Sequence, residues 1–304
     1  MLNQIWPKSD GDNGWQHSGI DVLSDNRLVF ADTDGSTLLY FNLEGGDVES
    51  VLTDHKEMHD IVRVNEDGED FLWISDCGHK FVRENGAYVD SRSHGRVVKR
   101  NTRGELIQEL SMPNNDKYLE KSWNPTSVAV DPLGKIWVAD GYGSYLIYRY
   151  SKEGKLELTL DGTKSGLPFN RPHGIEFYQG HLIVADRANK RIVYFDIDGN
   201  FIRVITDAEF CSPSSFAVVE DGIYVTELHG AITRLESDGS ITCIQRNDRH
   251  ETPGWPNGIL NNFPIRAKLE PHEINSPHGI CSHPNGNIYF TEWLIGGRVM
   301  EYKP

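Results

Sequence analysis

The chain has 304 residues, 38% of them hydrophobic and 10% aromatic, and carries a net charge of −15. That charge excludes a broad phosphate-binding surface, which needs clustered Lys and Arg. No apolar run approaches the roughly 20 residues that span a bilayer, so neither a nucleic-acid partner nor a membrane is expected. The opening MLNQIWPKSDGDNGW lacks a basic region followed by an apolar stretch. No signal peptide is legible there, and a cytoplasmic location is expected. Cys77, Cys211, Cys243 and Cys281 form no Cys-x-x-Cys pair. They read as free thiols, a Cys211–Cys243 bridge being the alternative.

In chain order, LNQIW (Leu2 to Trp6) reads as a short strand. From His17, HSGIDVLSDNRLVFADTDGSTLLYFNLEGGDVESVL breaks into four short strands rich in Ile, Val, Leu, Phe and Tyr. The same grammar restarts at Met58, Asn124, Arg171, Ser212 and Ser276. Its inner turns fall at Asp25-Asn26, Asp67-Gly68, Leu133-Gly134, Gln179-Gly180, Asp221-Gly222 and Asn285-Gly286. Strands bounded by such turn residues form antiparallel meanders. Six units of roughly 40 residues predict an all-β, six-bladed β-propeller with four-stranded antiparallel blades. The last unit stops at VMEYKP without a fourth strand, and Leu2 to Trp6 is expected to supply it and close the ring. The prediction is a single domain over 1–304 with insertions at about 79–94 and 246–275. The second insertion, rich in Pro, Asn and Gly, reads as an ordered loop and not a strand pair. Its Trp255, Ile259 and Phe263 are expected to pack across one face of the disc.

Aligning the units at their opening strand gives one informative column: Ser18, His59, Thr126, His173, Ser214 and His278. Opening strands line the axis of a closed ring, so alternate blades lie about 120° apart. Three imidazoles then meet at one height, with small hydroxyl residues between them. Three histidines with an open fourth position form the ligand set of a catalytic zinc site. Zinc or another divalent transition metal suits such ligands. The structural alternative is a packing histidine in a Pro-His turn. His17, His229, His272 and His283 fall outside the column and read as surface or loop residues. A second column ends the second strands: Asp32, Asp76, Asp140, Asp186, Glu227 and Glu292. An acid in every blade points to hydrogen bonds with turn amides of the next blade. Tyr142, two residues after Asp140, and Arg187, next to Asp186, should rim one mouth of the channel. An aromatic rim residue and a blade-to-blade salt bridge are equally open readings of these two.

NPTSVAVDPLGKIWVADGYG, RPHGIEFYQGHLIVADRANKRIVYF and SPHGICSHPNGNIYFTEW resemble NHL-repeat propellers. They look most like the peptidyl-α-hydroxyglycine α-amidating lyases, over about Gly14 to Tyr302. The resemblance implies a zinc ion on His59, His173 and His278, with Tyr142 as catalytic base and Arg187 as substrate-binding arginine. It implies a metal-dependent lyase that cleaves the C–N bond of a carbinolamide. Four positions depart from the pattern. Asp32 stands nearest to where the family has a second arginine. Ser276 and Gly279 replace the methionine and aspartate around the last zinc histidine, which removes support for the family's calcium. Gly143 replaces a half-cystine. These departures point to retained metal chemistry on a small molecule or short peptide, a substrate smaller than the family's peptides being consistent with them. The alternatives are another metal-dependent propeller hydrolase or lyase acting on a lactone or sugar, and a non-catalytic NHL module that binds a protein.

Overall fold

A computed structural model describes residues 1–7 and 14–304. Six four-stranded antiparallel sheets follow one another along the chain. Blade 1 runs Ile20–Val22, Leu28–Ala31, Thr37–Phe41 and Val48–Leu52. Blade 2 runs Met58–Glu66, Glu69–Asp76, Arg96–Asn101 and Leu106–Glu109. Blade 3 is Ser127–Val130, Ile136–Ala139, Ile147–Tyr150 and Leu156–Leu160. Blade 4 is Pro172–Tyr178, His181–Asp186, Arg191–Phe195 and Phe201–Thr206. Blade 5 is Pro213–Val219, Gly222–Glu227, Ala231–Glu236 and Ile241–Arg246. Blade 6 takes Pro277–Ser282, Ile288–Glu292 and Arg298–Tyr302 from the C-terminal end. Its fourth strand is Leu2–Trp6, antiparallel to Arg298–Tyr302 with Leu2 opposite Tyr302 and Gln4 opposite Met300. The ring is a closed six-bladed β-propeller, and its helical content among the described residues is four short 3-10 turns.

Each blade buries one face against the next. Six apolar clusters form among the described residues, one at each blade–blade interface. Between blades 3 and 4, for example, Trp137, Ile147, Val184, Val193 and Phe195 are almost fully buried together. Between blades 6 and 1, Tyr289 and Val299 pack with Leu28 and Phe30, and Trp6 from the closing strand joins them. The innermost strands touch in a closed cycle, which makes a central channel.

Both insertions lie where the repeats place them, and the second differs in detail. Residues 79–94 hold a hairpin, His79–Glu84 with Ala87–Arg92. The 246–275 segment was expected to hold no strand pair, yet Gly258–Leu260 pairs with Phe263–Ile265 around Asn261 and Asn262. Both asparagines have positive φ, a turn conformation that Asn tolerates better than most residues. Ile259 and Phe263 are half exposed. Trp255 reaches inward, 6.0 Å from the ring of Trp293. All four cysteines are free, so the Cys211–Cys243 alternative falls.

Candidate metal centre

The two sequence columns are one device. In blade 4, Pro172 sits opposite Asp186, and the register then slips before Ile175 pairs with Val184. The same slip follows Met58, Pro213 and Pro277. It lands on His59, His173, Ser214 and His278. A bulge of this kind bends the strand and re-aims a side chain, here toward the axis. The acids hold the lead-in to each bulge. Asp76 accepts the amides of Lys56 and Glu57, and Asp140 that of Asn124. Asp186 accepts Asn170, Glu227 accepts Cys211 and Ser212, and Glu292 accepts Asn275 and Ser276. Each of these five acids therefore clamps its own blade, and not the next one as the sequence pattern suggests. The acid lies directly across the ladder from the residue that precedes the bulge, so its own lead-in is the segment within reach.

Each axial histidine donates Nδ1–H to the backbone carbonyl of the hydroxyl residue one blade on. His59 meets Thr126 O at 2.6 Å, His173 meets Ser214 O at 2.9 Å, and His278 meets Ser18 O at 3.1 Å. The Ser and Thr positions are thus the orienting partners of the imidazoles as well as gaps between them. The glycine of the Pro-His-Gly motif makes this approach possible: a Cβ on Gly174 would lie 2.3 Å from Ser214 O. With Nδ1 protonated, each Nε2 presents a lone pair to the axis. His278 Nε2 and His59 Nε2 stand 3.1 Å apart. Two acceptors that close repel unless a proton or cation lies between them, so the residues fit a bound metal ion.

A fourth histidine belongs to the cluster. The ligand atoms of His17, His59, His173 and His278 lie within 4.8 Å of one another, and all four residues are buried. The expectation for His17 is a surface or loop residue; it does lie in a loop, but buried in the cluster. Its place follows from blade 1, where the clamp differs: Asp32 accepts from its neighbour Thr33. The lead-in is tied instead to blade 6, through Gln16 N–H to Leu294 O and the bridge of Trp15 to Ile295. The sequence did carry a signal. The residue before the axial position is Pro125, Pro172, Pro213 or Pro277 in four units and Met58 in another, but His17 in the first. His229 stacks on His250 at 5.0 Å beside Trp255. His272 is exposed, and His283 donates to Asn26 O on the surface.

Tyr142 and Arg187 stand beside the cluster. Tyr142 Oη lies 3.1 Å from His173 Nε2, 3.3 Å from His59 Nε2 and 3.4 Å from His17 Nε2. Arg187 is nine-tenths buried. It points Nη1 at Tyr142 Oη, 3.5 Å away, and donates from Nη2 to Ser214 Oγ at 3.0 Å. Burial pushes His17, His59 and His173 well below the usual imidazole range. It pushes His278 to about 3, with the charge of Arg187 adding to the effect. Neutral imidazole is the metal-binding form. Burial raises the Tyr142 phenol, and the Arg187 charge opposes that rise. An unassisted phenol here would stay protonated, contrary to the lowered value that a base requires. Gly143 has no room for a side chain, since a Cβ would fall 2.4 Å from Asp140 Oδ1.

No family model matches the chain. Peptidyl-glycine alpha-amidating monooxygenase B of Xenopus laevis is 26% identical over 307 residues, covering 94% of this chain and 30% of that protein. Peptidyl-alpha-hydroxyglycine alpha-amidating lyase 2 of Drosophila melanogaster is 37% identical over 71 residues, covering 23% of this chain and 18% of the other. The chain therefore spans less than a third of the length of these curated relatives. Among solved structures, a streptogramin B lyase is 18% identical with a TM-score of 0.62, covering 99% of this chain and 96% of that one; this is a likeness of fold. The chain is a six-bladed, NHL-like β-propeller whose sequence resembles the peptidyl-α-hydroxyglycine α-amidating lyases.

Proposed function

We propose that the protein is a metal-dependent lyase that cleaves the C–N bond of a carbinolamide bearing a carboxylate. One observation carries the reading: His59, His173 and His278 each have Nδ1 fixed on a neighbouring blade's carbonyl, which turns three Nε2 lone pairs onto one point. Orienting partners of this kind accompany metal-ligating histidines. The relatives named as amidating enzymes support the reaction class.

A divalent transition ion bound there supplies Lewis-acid polarisation of the substrate hydroxyl. With its pKa lowered by a bound ion and by the Arg187 charge, Tyr142 would act as the phenolate, its Oη within 3.1–3.4 Å of three of the imidazoles, and would take the hydroxyl proton. The carbon–oxygen bond becomes a carbonyl, the C–N bond breaks with its electrons going to nitrogen, and the proton returns to that nitrogen. The products are an amide and an aldehyde, glyoxylate for a hydroxyglycine substrate. Arg187 pairs with the carboxylate through its guanidinium fork. Burial without a full ionic partner leaves that guanidinium free to do so: Nε has no hydrogen-bond partner among the described residues.

The test pairs elemental analysis with turnover. Metal-replete wild type should hold one divalent ion per chain and release glyoxylate from an α-hydroxyglycine amide. His173→Ala should lose both. A wild type that stays metal-free after replete preparation overturns the metal site. A metal-loaded wild type that releases no glyoxylate from a panel of such amides overturns the reaction.

A further inference from the structure

We propose that His17 is a fourth, displaceable ligand. It completes the coordination of the ion in the resting site and gives way when a substrate oxygen arrives. The inference rests on the metal reading above, but not on the identity of the reaction.

The imidazole of His17 lies 4.4 Å, centroid to centroid, from those of both His59 and His278. Its Nε2 faces the same Tyr142 hydroxyl as the Nε2 atoms of His59 and His173. His17 therefore stands on the side of the cluster from which Tyr142 must meet a substrate hydroxyl. A three-histidine site leaves that position to water or substrate. Here a side chain already occupies it.

His17 nevertheless differs from the other three in how it is held. Each axial histidine has Nδ1 anchored on a backbone carbonyl. Among the described residues, His17 Nδ1 has no such partner. It is 7% exposed, against 1–2% for the others. Its backbone is fixed on both sides: Gln16 Nε2 donates to Ala31 O, Arg298 N–H donates to Gln16 Oε1, and the Ser18 hydroxyl accepts Ala31 N–H. The main chain is pinned while the ring is not, which leaves rotation of the side chain as the way to vacate the site. Loss of an outer hydrogen bond weakens a histidine ligand by about 10–100-fold, so His17 is the weakest of the four. Four neutral imidazoles also leave the ion's charge uncompensated, which favours exchange of one of them for an anionic or oxygen ligand.

Cobalt(II) is the probe, since its visible bands are strong in four-coordinate sites and weak in six-coordinate ones. Wild type, His17→Ala, His17→Gln and His173→Ala are titrated with cobalt, and then with acetate as an oxygen donor. The expectation is one cobalt per chain and strong bands for wild type. Both His17 variants should keep one cobalt, with affinity lower by about 10–100-fold, weakened bands, and a response to acetate at lower concentration than wild type. His173→Ala should retain none. The Gln variant preserves side-chain volume, so a folding defect of the Ala variant alone does not hide the result. Spectra identical to wild type in both His17 variants overturn ligation. Complete loss of cobalt in both overturns displaceability. Wild type that takes up no cobalt removes the metal site itself. These readouts need no turnover, so a failed lyase assay leaves them standing.

Discussion

Tyr142→Phe deletes one oxygen and little else. That oxygen lies 3.1–3.4 Å from three imidazole nitrogens and 3.5 Å from Arg187 Nη1. These are long contacts for a hydroxyl donor, so their loss should cost about 1 kcal/mol of stability or less. The three anchored imidazoles do not depend on the phenol, because their Nδ1 atoms are held by carbonyls. Metal content should therefore be unchanged. Catalysis should not be. A positioned general base contributes roughly 10²–10⁴-fold, which is about 3–5 kcal/mol of barrier. The loss should appear in kcat with little change in KM, as for a group that acts only in the transition state. The assay is steady-state glyoxylate release from an α-hydroxyglycine amide, with metal measured on the same sample. Full turnover at full metal occupancy would refute the phenol as base. Loss of metal would refute the claim that the imidazoles hold the ion by themselves.

Three further outcomes are expected. Arg187→Lys keeps a charge but loses the planar fork, so kcat/KM should fall by about 10–100-fold, the worth of a charged hydrogen bond, mostly through KM; an unchanged KM would remove the carboxylate contact. Lys80 Nζ holds both oxygens of buried Glu57 and the carbonyl of Trp15; Lys80→Met should cost about 3–5 kcal/mol in chemical denaturation by stranding Glu57, and adding Glu57→Gln should recover much of it. At the opposite mouth, Asp21, Asp60 and Glu176 line a cavity of about 240 Å³, and burial raises Glu176 to about 8. A folded pKa above the unfolded one of roughly 4.3 means that stability is full below that value and is lost as pH rises through about 8. Glu176→Gln should then raise Tm at pH 9 relative to wild type and leave it nearly unchanged at pH 4.

How much of this was legible depends on what repeats. The blades, the closing strand and the axial histidine column all follow from spacing, because a radial repeat converts equal sequence positions into equal spatial ones. What spacing could not reveal is any feature that breaks the repeat. His17 enters the cluster because blade 1 alone lacks the acid clamp on its lead-in, and Asp32 still looks like a member of its column. The strand pair at Gly258–Leu260 and Phe263–Ile265 is three residues on each side, too short for alternation to register. The orienting role of Thr126, Ser214 and Ser18 was invisible for another reason. It is carried by their carbonyls, which every residue has, and only the close approach permitted at Gly174 and Gly279 betrays it.

The charge of the site runs against the charge of the chain. The protein carries −15 overall, yet among the described residues no carboxylate joins the four-imidazole group. Each acid of the second column is spent on backbone amides, and Glu292 and Asp186 also pair with Arg298 and Arg191. Arg187, unlike Arg191 on the same blade, makes no ion pair within 4.0 Å to a described carboxylate. On the proposed reading, a divalent ion would add to that guanidinium, while Asp60, the carboxylate next to His59, is held by Ser127 Oγ and Val128 N–H. Surface acids are screened beyond about 8 Å at physiological salt, whereas charges inside a water-poor channel are not. An anion reaching the mouth consequently feels the floor more than the rim. Clamping the acids keeps the axis clear: a single carboxylate released from its amides toward it would take the place the substrate needs.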